Sequence, residues 1–428
     1  MRYVIIGNSA AAVGAIEAIR RYDLDNPITV LSNELHHVYS RPLISYLLGG
    51  LVDVSRMDYR PRDFYDKLNV QTMLGVEVAR VEPEHKRLVL QGGGTLGYDR
   101  LLIATGGKPF MPPLPGSGLE GTFTFTTWDD ATRIAHYIET RQVKSAVVLG
   151  AGLIGLKTTE ALLPRGIRVT MVELSDRVLS ATFDRTASKL AEGLLRREGV
   201  EVRLNNTVEE ILGHNGHVDH VALRDGERVD ADMVVFAIGV RANTSLIPSD
   251  SGIRIERGIC VDEFMRTTAP DVYAAGDCTE TYDFLAGVTR PIAIWPNAYR
   301  QGYVAGHGMA GVEMRYDAHL VMNSIEVCGV PTISVGLTDP NEGEGGYEIM
   351  ERYDRTAPTY KKLVLRDQRL VGIIFVGDID RAGIYTGLIR DQVDVSSFQS
   401  HLLSGNFGLI SLPKDYRKHL VVGTSVEV

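Results

Sequence analysis

Two segments more than a hundred residues apart carry the same order of apolar and polar positions. Each opens with a short apolar run, turns through small residues, continues as a helix, and closes on a second apolar run near an acid. The first has a strand over residues 3–6, the turn Gly7-Asn8-Ser9-Ala10-Ala11-Ala12, a helix to about residue 21 and a strand over 28–31. The second has a strand over 146–149, the turn Gly150-Ala151-Gly152-Leu153-Ile154-Gly155, a helix to about residue 163 and a strand over 168–172 that ends at Glu173. The repeat predicts an α/β chain built on a duplicated strand–turn–helix–strand unit.

Between the copies lies a strand-rich stretch with Pro83 and the turn Gly92-Gly93-Gly94, then a buried strand over 100–104 and the loop Thr105-Gly106-Gly107. The Pro-rich segment from Pro109 to Pro115 reads as a linker. A strand over 233–238 followed by Gly239 closes the middle unit, and the chain returns to the first fold through residues 271–277. From about Met314 the texture changes to strands over 362–365 and 370–376 and a helix around 384–390. The expected domains are therefore 1–115 and 245–313 for the first fold, 116–244 for the second, and 314–428 for a smaller α+β interface domain.

A helix N-terminus carries unpaired N–H groups and the positive end of the dipole, so a pyrophosphate placed there is hydrogen-bonded and electrostatically favoured. In the second turn Gly150 suits the tight bend, Gly152 removes a side chain that would block the phosphates, and Gly155 allows close helix–strand packing, with Leu153 and Ile154 between them. Glu173, 23 positions after Gly150, can accept hydrogen bonds from both hydroxyls of an adenosine ribose and would repel a 2′-phosphate. That favours NAD(H) over NADP(H), with Arg177 nearby working the other way. In the first turn Ser9 and Ala12 stand at the second and third glycine positions, and Ser32 ends the strand with Glu34 two residues on. Gly7, Ser9, Ala10 and Ala11 are still small enough to admit a phosphate. An ordinary glycine turn before a helix would look the same, and the pairing of two copies is what points to two Rossmann-like dinucleotide folds.

Composition removes other classes. There are 45 basic and 54 acidic side chains, net −9, and no basic cluster that would track a nucleic acid. The longest apolar run, residues 146–156, is glycine-rich and eleven residues long, too short to span a bilayer. The strand at residue 3 leaves no room for a leader, so a cytoplasmic protein is expected. The three cysteines, Cys260, Cys278 and Cys328, form no C-x-x-C pair, so neither an iron–sulfur cluster nor a redox disulfide is encoded locally. Cys278 reads as a packed thiol. His214, His217 and His220 straddle the turn signal Asn215-Gly216 and read as a hairpin rather than a metal site.

With both turns in place, Leu102-Ile103-Ala104-Thr105-Gly106 and Ala237-Ile238-Gly239-Val240-Arg241-Ala242-Asn243 are similar to the paired loops of the FAD- and NAD(P)-dependent pyridine nucleotide oxidoreductases, and the likeness covers nearly the whole chain. Residues 268–277, ending in Gly276-Asp277, resemble the segment whose aspartate holds the ribityl chain of FAD. Trp295-Pro296-Asn297-Ala298 resembles the segment that aims a helix N-terminus at the flavin's pyrimidine edge, where the dipole favours negative charge on the reduced ring. The resemblance further implies FAD contacts from Val78, Ala104, Thr105 and Gly106, and from Arg41 and Pro42.

Within the family, Tyr39-Ser40-Arg41-Pro42-Leu43-Ile44-Ser45 is similar to rubredoxin reductases, oxygenase-type ferredoxin reductases and the flavin half of the nitrite reductase large subunit. Residues 363–365 and 371–378 resemble the nitrite reductase branch. Disulfide reductases and NADH oxidases carry a cysteine near Arg41, and its absence here leaves thiol chemistry without an obvious nucleophile. Where relatives have a lysine after this run and a glutamate after the second turn, this chain has Tyr46 and Lys157. These two are expected to tune the flavin and the nicotinamide pocket. The resemblance thus implies FAD and NAD as cofactors, hydride exchange between them, and single-electron exchange with an iron–sulfur protein or subunit. It also implies a homodimer or a hetero-oligomeric complex, such as an anaerobic aldehyde or 2-oxoacid oxidoreductase. A stand-alone NADH oxidase and a non-enzymatic flavin-binding redox sensor or scaffold are the alternatives, and the intact second turn with Glu173 argues against the scaffold.

Overall fold

The computed structural model describes residues 1–317, 320–340, 345–354 and 356–414. The chain divides into two compact units, Met1–Asp176 with Gly199–His319, and Arg177–Glu198 with Leu320–Val428.

In the first unit each apolar repeat forms a five-stranded parallel sheet. One runs in the order Val272–Ala274, Arg100–Ile103, Tyr3–Ile6, Ile28–Ser32, Val70–Leu74. Its central strand is buried throughout. Tyr3 and Ile5 pack with Val13 and Ile16 of the helix Ala10–Tyr22, while Val4 and Ile6 pack on the other face with Val81, Leu88 and Tyr98. A sheet covered on both faces requires such an unbroken apolar run, where a half-exposed strand would alternate. The second sheet runs Glu201–Arg203, Arg168–Val172, Ser145–Leu149, Met233–Phe236, Thr122–Thr124, again parallel. In both sheets the central strand has its successors on opposite sides. The glycine turn that follows it therefore opens at the point where strand order reverses, where open α/β sheets take ligands.

The helices Ala10–Tyr22 and Trp295–Met309 meet backbone to backbone. A Cβ on Gly14 would lie under 3 Å from the Tyr299 carbonyl oxygen, and one on Gly302 equally close to that of Ala11. This close approach brings the second helix alongside the first turn. The unit also carries two antiparallel meanders, Val78–Glu82, Arg87–Leu90 and Thr95–Gly97, and Val208–His214, His217–Leu223 and Arg228–Asp230. On the latter, His214 lies opposite His217 across the turn, and His220 contacts Asp219 at 2.9 Å. The Pro-rich stretch expected as a linker begins within a strand, since Gly107–Pro109 pairs antiparallel with Val240–Ala242.

The second unit is a five-stranded antiparallel sheet, Met322–Val327, Val330–Gly336, Arg369–Val376, Thr359–Arg366, Tyr347–Asp354, with the helix Ala382–Arg390 packed on it. The helix Arg185–Arg197, which in the chain joins two strands of the second parallel sheet, belongs to this unit. Asp184 caps it by accepting the Ala187 N–H at 2.9 Å, and the same side chain takes the Tyr360 hydroxyl at 2.7 Å and pairs with Lys362 at 3.0 Å. Lys362 is only 5% exposed, and a buried ammonium needs such partners to offset its lost hydration. Among the described residues no helix is long and apolar enough to cross a membrane.

Candidate functional site

The two turns share one backbone device. Gly7 and Gly150 sit at φ +112° and +106°, in the region that only glycine enters without strain. The Gly7 N–H donates to the Leu31 carbonyl at 2.7 Å and the Gly150 N–H to the Val172 carbonyl at 2.8 Å. A Cβ on either would lie under 3 Å from the carbonyl oxygen of the next strand's loop, Ala104 in the first and Ala237 in the second. A Cβ on Gly155 would likewise strike the Gly150 carbonyl, whereas one on Gly152 meets nothing within 4 Å. Gly152 therefore faces open space at a helix N-terminus, the geometry that admits a phosphate. Glu173 folds back over this turn, accepting the Ala151 N–H at 2.6 Å and the Ser175 N–H at 2.8 Å. Leu153 starts the helix, and Gly239, at φ +103°, ends the neighbouring strand's loop and accepts the Phe110 N–H at 3.0 Å.

The first turn opens into a cavity of about 560 Å³. Of the residues expected at a cofactor, Gly7, Ser9, Ala10, Ala11, Ser32, Glu34, Arg41, Val78, Ala104, Thr105, Gly106, Gly276, Asp277, Trp295 and Ala298 all line it, and so does Ile154 from the second turn. Ala12 is fully buried behind the turn. Pro42 and Pro296 lie in the first turns of the helical segments Arg41–Leu43 and Trp295–Met309, where a missing N–H leaves no bond unmade. Gly150, Gly152, Leu153, Gly155, Glu173 and Gly239 gather at the second turn, outside this lining.

Two of the charged side chains that line the cavity pair with each other. Glu34 takes the guanidinium of Arg41 and the Tyr39 hydroxyl, the latter at 2.6 Å, and Arg41 also donates to the Thr126 carbonyl at 3.0 Å. Burial alone would push the Arg41 guanidinium down, but its neighbours Tyr39 and Glu34 outweigh that and hold it up. Asp277 lies outside this pair. Burial raises its carboxyl, Arg41 offsets part of that rise, and no hydrogen bond to another described residue satisfies it. Its neighbour Gly276 is fixed by Gln301, which accepts the Gly276 N–H at 2.7 Å. A carboxylate lining a cavity without a protein donor suits a ligand that brings hydroxyl groups. The helix Trp295–Met309 begins at the cavity wall, its first residue packed edge-on against Tyr59 with ring centroids 5.1 Å apart.

Tyr46 and Lys157 are not part of the cavity lining. Tyr46 is 39% exposed, and Lys157 pairs with Glu160 at 2.6 Å, one turn along its own helix. Cys278 is fully buried, donates weakly to the Ile103 and Ala275 carbonyls, and has its thiol pushed up by burial. Among the cavity residues not expected from the sequence are Lys108 and Ser245. Lys108 directly follows the Thr105-Gly106-Gly107 loop, the one signal that could have drawn attention to it.

The turn, Glu34 two residues past the strand end and Asp277 fit FAD in the first fold, and the open face of Gly152 with Glu173 fits a nicotinamide dinucleotide in the second. Two Rossmann-type folds that both reach one cavity define a protein of the FAD- and NAD-binding class. Two family models match it: Pyridine nucleotide-disulphide oxidoreductase over residues 1–302, and Rubredoxin NAD+ reductase C-terminal domain over residues 322–393. The chain belongs to the pyridine nucleotide-disulphide oxidoreductase family, whose cofactors are FAD and NAD(P)H. It is 33% identical over 396 residues to the nitrite reductase [NAD(P)H] of Bacillus subtilis, covering 92% of this chain and 48% of the relative. The chain thus spans about half the length of that relative. It is 32% identical over 406 residues to subunit epsilon of the NADH-dependent phenylglyoxylate dehydrogenase of Aromatoleum evansii, covering 94% of each. The solved NAD-dependent persulfide reductase from A. fulgidus matches with a TM-score of 0.85 at 29% identity, over 93% of this chain and 78% of that one.

Proposed function

We propose that the protein exchanges hydride between NAD(H) and FAD, and single electrons between FAD and an iron–sulfur protein or subunit outside this chain. The observation that carries the reading is Ile154. It belongs to the turn and helix that suit NAD, yet it lines the same cavity as Asp277 and Trp295. A nicotinamide bound along that helix is thereby directed toward the flavin site, and orientation of this kind is where most of the rate gain in hydride transfer arises. When bound, FAD would supply redox chemistry able to couple two-electron hydride exchange to one-electron transfer.

The chain's own residues position and shield. The turn at Gly7 and the first N–H groups of the helix Ala10–Tyr22 hold the pyrophosphate, Asp277 accepts hydrogen bonds from the ribityl hydroxyls, and the helix starting at Trp295 favours negative charge at the pyrimidine edge. Glu173 selects the unphosphorylated ribose of NAD(H). No cysteine lines the cavity, and Cys278 is sealed in the core, so a thiol relay within the chain has no member near the flavin site. The Aromatoleum evansii relative is named subunit epsilon of an NADH-dependent phenylglyoxylate dehydrogenase, which supports a partner subunit as the other electron carrier.

Anaerobic stopped-flow with NADH tests the reading. Flavin bleaching within the mixing experiment, fast reduction of a one-electron dye and slow oxygen consumption are expected. No bleaching would end the enzyme reading, and fast oxygen consumption by the isolated chain would favour an oxidase instead.

A further inference from the structure

We propose that Lys108 is a binding residue for FAD, its ammonium group meeting the negative charge of the cofactor's diphosphate. The inference rests on the assignment of FAD to the cavity at Gly7. Two cationic side chains line that cavity, Arg41 and Lys108, against three carboxylates, Glu34, Glu77 and Asp277. A diphosphate brings further negative charge into this setting, and the helix N-terminus offsets only part of it. Arg41 is already committed to the Glu34 carboxylate and the Thr126 carbonyl. Lys108 is not: among the described residues no carboxylate pairs with it, and its one hydrogen bond goes to a neutral hydroxyl, Ser245 Oγ, at 3.0 Å. An ammonium has three donors, so two remain for a ligand.

Lys108 is exposed, and strand pairing fixes its backbone. It is the middle residue of the strand Gly107–Pro109, whose partner strand Val240–Ala242 puts Arg241 directly opposite. Arg241 is taken up elsewhere, its guanidinium lying 3.9 Å from the centroid of the Phe110 ring. Ser245 donates in turn to Asn243 Oδ1 at 3.1 Å, and the Asn243 backbone is locked to the Thr105-Gly106 loop by the Thr105 hydroxyl at 2.7 Å and the Gly106 carbonyl at 2.9 Å. Hydrogen bonds Thr105–Asn243–Ser245–Lys108 therefore connect the ammonium to the loop that forms the cavity wall.

The test is FAD binding to the cofactor-stripped full chain, followed by flavin fluorescence, with ADP and adenosine as competitors. For Lys108→Gln, affinity for FAD and for ADP should fall about tenfold while adenosine competes unchanged, because only the first two carry the diphosphate. The loss should shrink in 0.5 M salt, where charge interactions are screened, and Lys108→Arg should restore most of it. Ser245→Ala, which removes the positioning hydroxyl, should weaken FAD by roughly two- to threefold. Unchanged FAD and ADP affinity in Lys108→Gln, or an equal loss for adenosine, would overturn the assignment. Asp277→Asn separates this outcome from failure of the cavity reading. If it weakens FAD while Lys108→Gln does not, the Lys108 assignment falls and the cavity stands; if neither variant alters FAD affinity, the cavity reading falls with it.

Discussion

The two glycine turns begin alike and end differently. Each opens with a glycine at strongly positive φ whose N–H is tied to the neighbouring strand and whose missing Cβ clears a carbonyl. From there the second turn depends on further absences: Gly155 could not carry a Cβ without striking Gly150, and Gly152 stands in open space. The first turn carries Ser9 and a fully buried Ala12 at those positions. The acids differ as well. Glu173 is drawn back onto its own turn by two N–H groups, whereas Glu34 is held by Arg41 and Tyr39. The lesson is that one glycine enforces the bend, while the rest of the fingerprint reflects how near the helix lies to the strand and what else closes the site. The second site is closed by backbone N–H groups close in sequence, the first by side chains gathered from far along the chain.

Replacing the shared glycines should have the largest effect and should separate the two sites. Gly7→Ala and Gly150→Ala each force a side chain into a positive-φ conformation and against a carbonyl oxygen, for a loss of about 3 kcal/mol in stability. Thermal unfolding would register both. Gly7→Ala should be purified with little flavin, whereas Gly150→Ala should retain flavin and fail to be reduced by NADH. Equal loss of flavin in both would break the picture of two separable turns.

Next in size is Asp277→Asn, expected to weaken FAD binding about thirtyfold by exchanging a charged acceptor for a neutral one. The same change should stabilise the cofactor-free chain at neutral pH. Burial, offset in part by Arg41, raises the Asp277 carboxyl in the folded state, so the folded chain binds this proton more tightly than the unfolded one. Its penalty is absent below the ordinary carboxylate range and grows as pH rises through the raised value. Unfolding of stripped wild type and variant across pH 3–8 should therefore show a gain for Asp277→Asn at neutral pH that disappears in acid. A loss of stability at neutral pH that disappears in acid would show instead that the carboxylate is stabilised rather than strained.

How much of this was legible in the sequence follows the same divide. The second site is local: turn, helix and Glu173 fall within 24 consecutive residues, and glycine spacing reported all of it. The first site is not. Asp277 and Trp295 were reached by resemblance, and Lys108 with Ser245 was missed, because the pairing of Gly107–Pro109 with Val240–Ala242 joins residues over 130 positions apart. In the second unit, Thr359–Arg366 and Arg369–Val376 announce themselves through buried apolar runs. Of the outer strands, Tyr347–Asp354 is largely exposed and Met322–Val327 mostly half-buried with mixed apolar and polar residues, so their pattern carries little signal. The attachment of the helix Arg185–Arg197 to that unit depends on Asp184 meeting Tyr360 and Lys362, a contact no local pattern encodes.

Glu173→Ala comes third. It removes an acceptor for the nicotinamide dinucleotide's ribose and leaves the Ala151 N–H unpaired, so the NADH dissociation constant should rise about tenfold with flavin content unchanged. NADPH should lose far less, since the repulsion of a 2′-phosphate goes with the carboxylate. Parallel titrations with both nucleotides measure the ratio. A uniform loss for the two would mean that Glu173 shapes the turn and does not read the ribose.

The smallest effect is expected at Lys157, and it tests whether the departures from the family pattern tune the flavin. Lys157 is paired with Glu160 on the same helix face and lies outside the cavity lining. A charge already balanced by a neighbour acts weakly at a distance, because the opposing carboxylate and the surrounding solvent screen it. Lys157→Glu would place like charges three positions apart on a helix, costing about 0.3–0.5 kcal/mol in stability. The flavin midpoint potential should move by less than about 15 mV, which for a two-electron couple is about 0.7 kcal/mol. A shift several times larger, together with a changed hydride rate, would show that Lys157 leaves Glu160 and turns to the cofactor when FAD is bound. Tyr46→Phe then distinguishes the two members of the pair: a phenol that packs should leave both potential and rate unchanged, while one that hydrogen-bonds the flavin or the nicotinamide should alter them together.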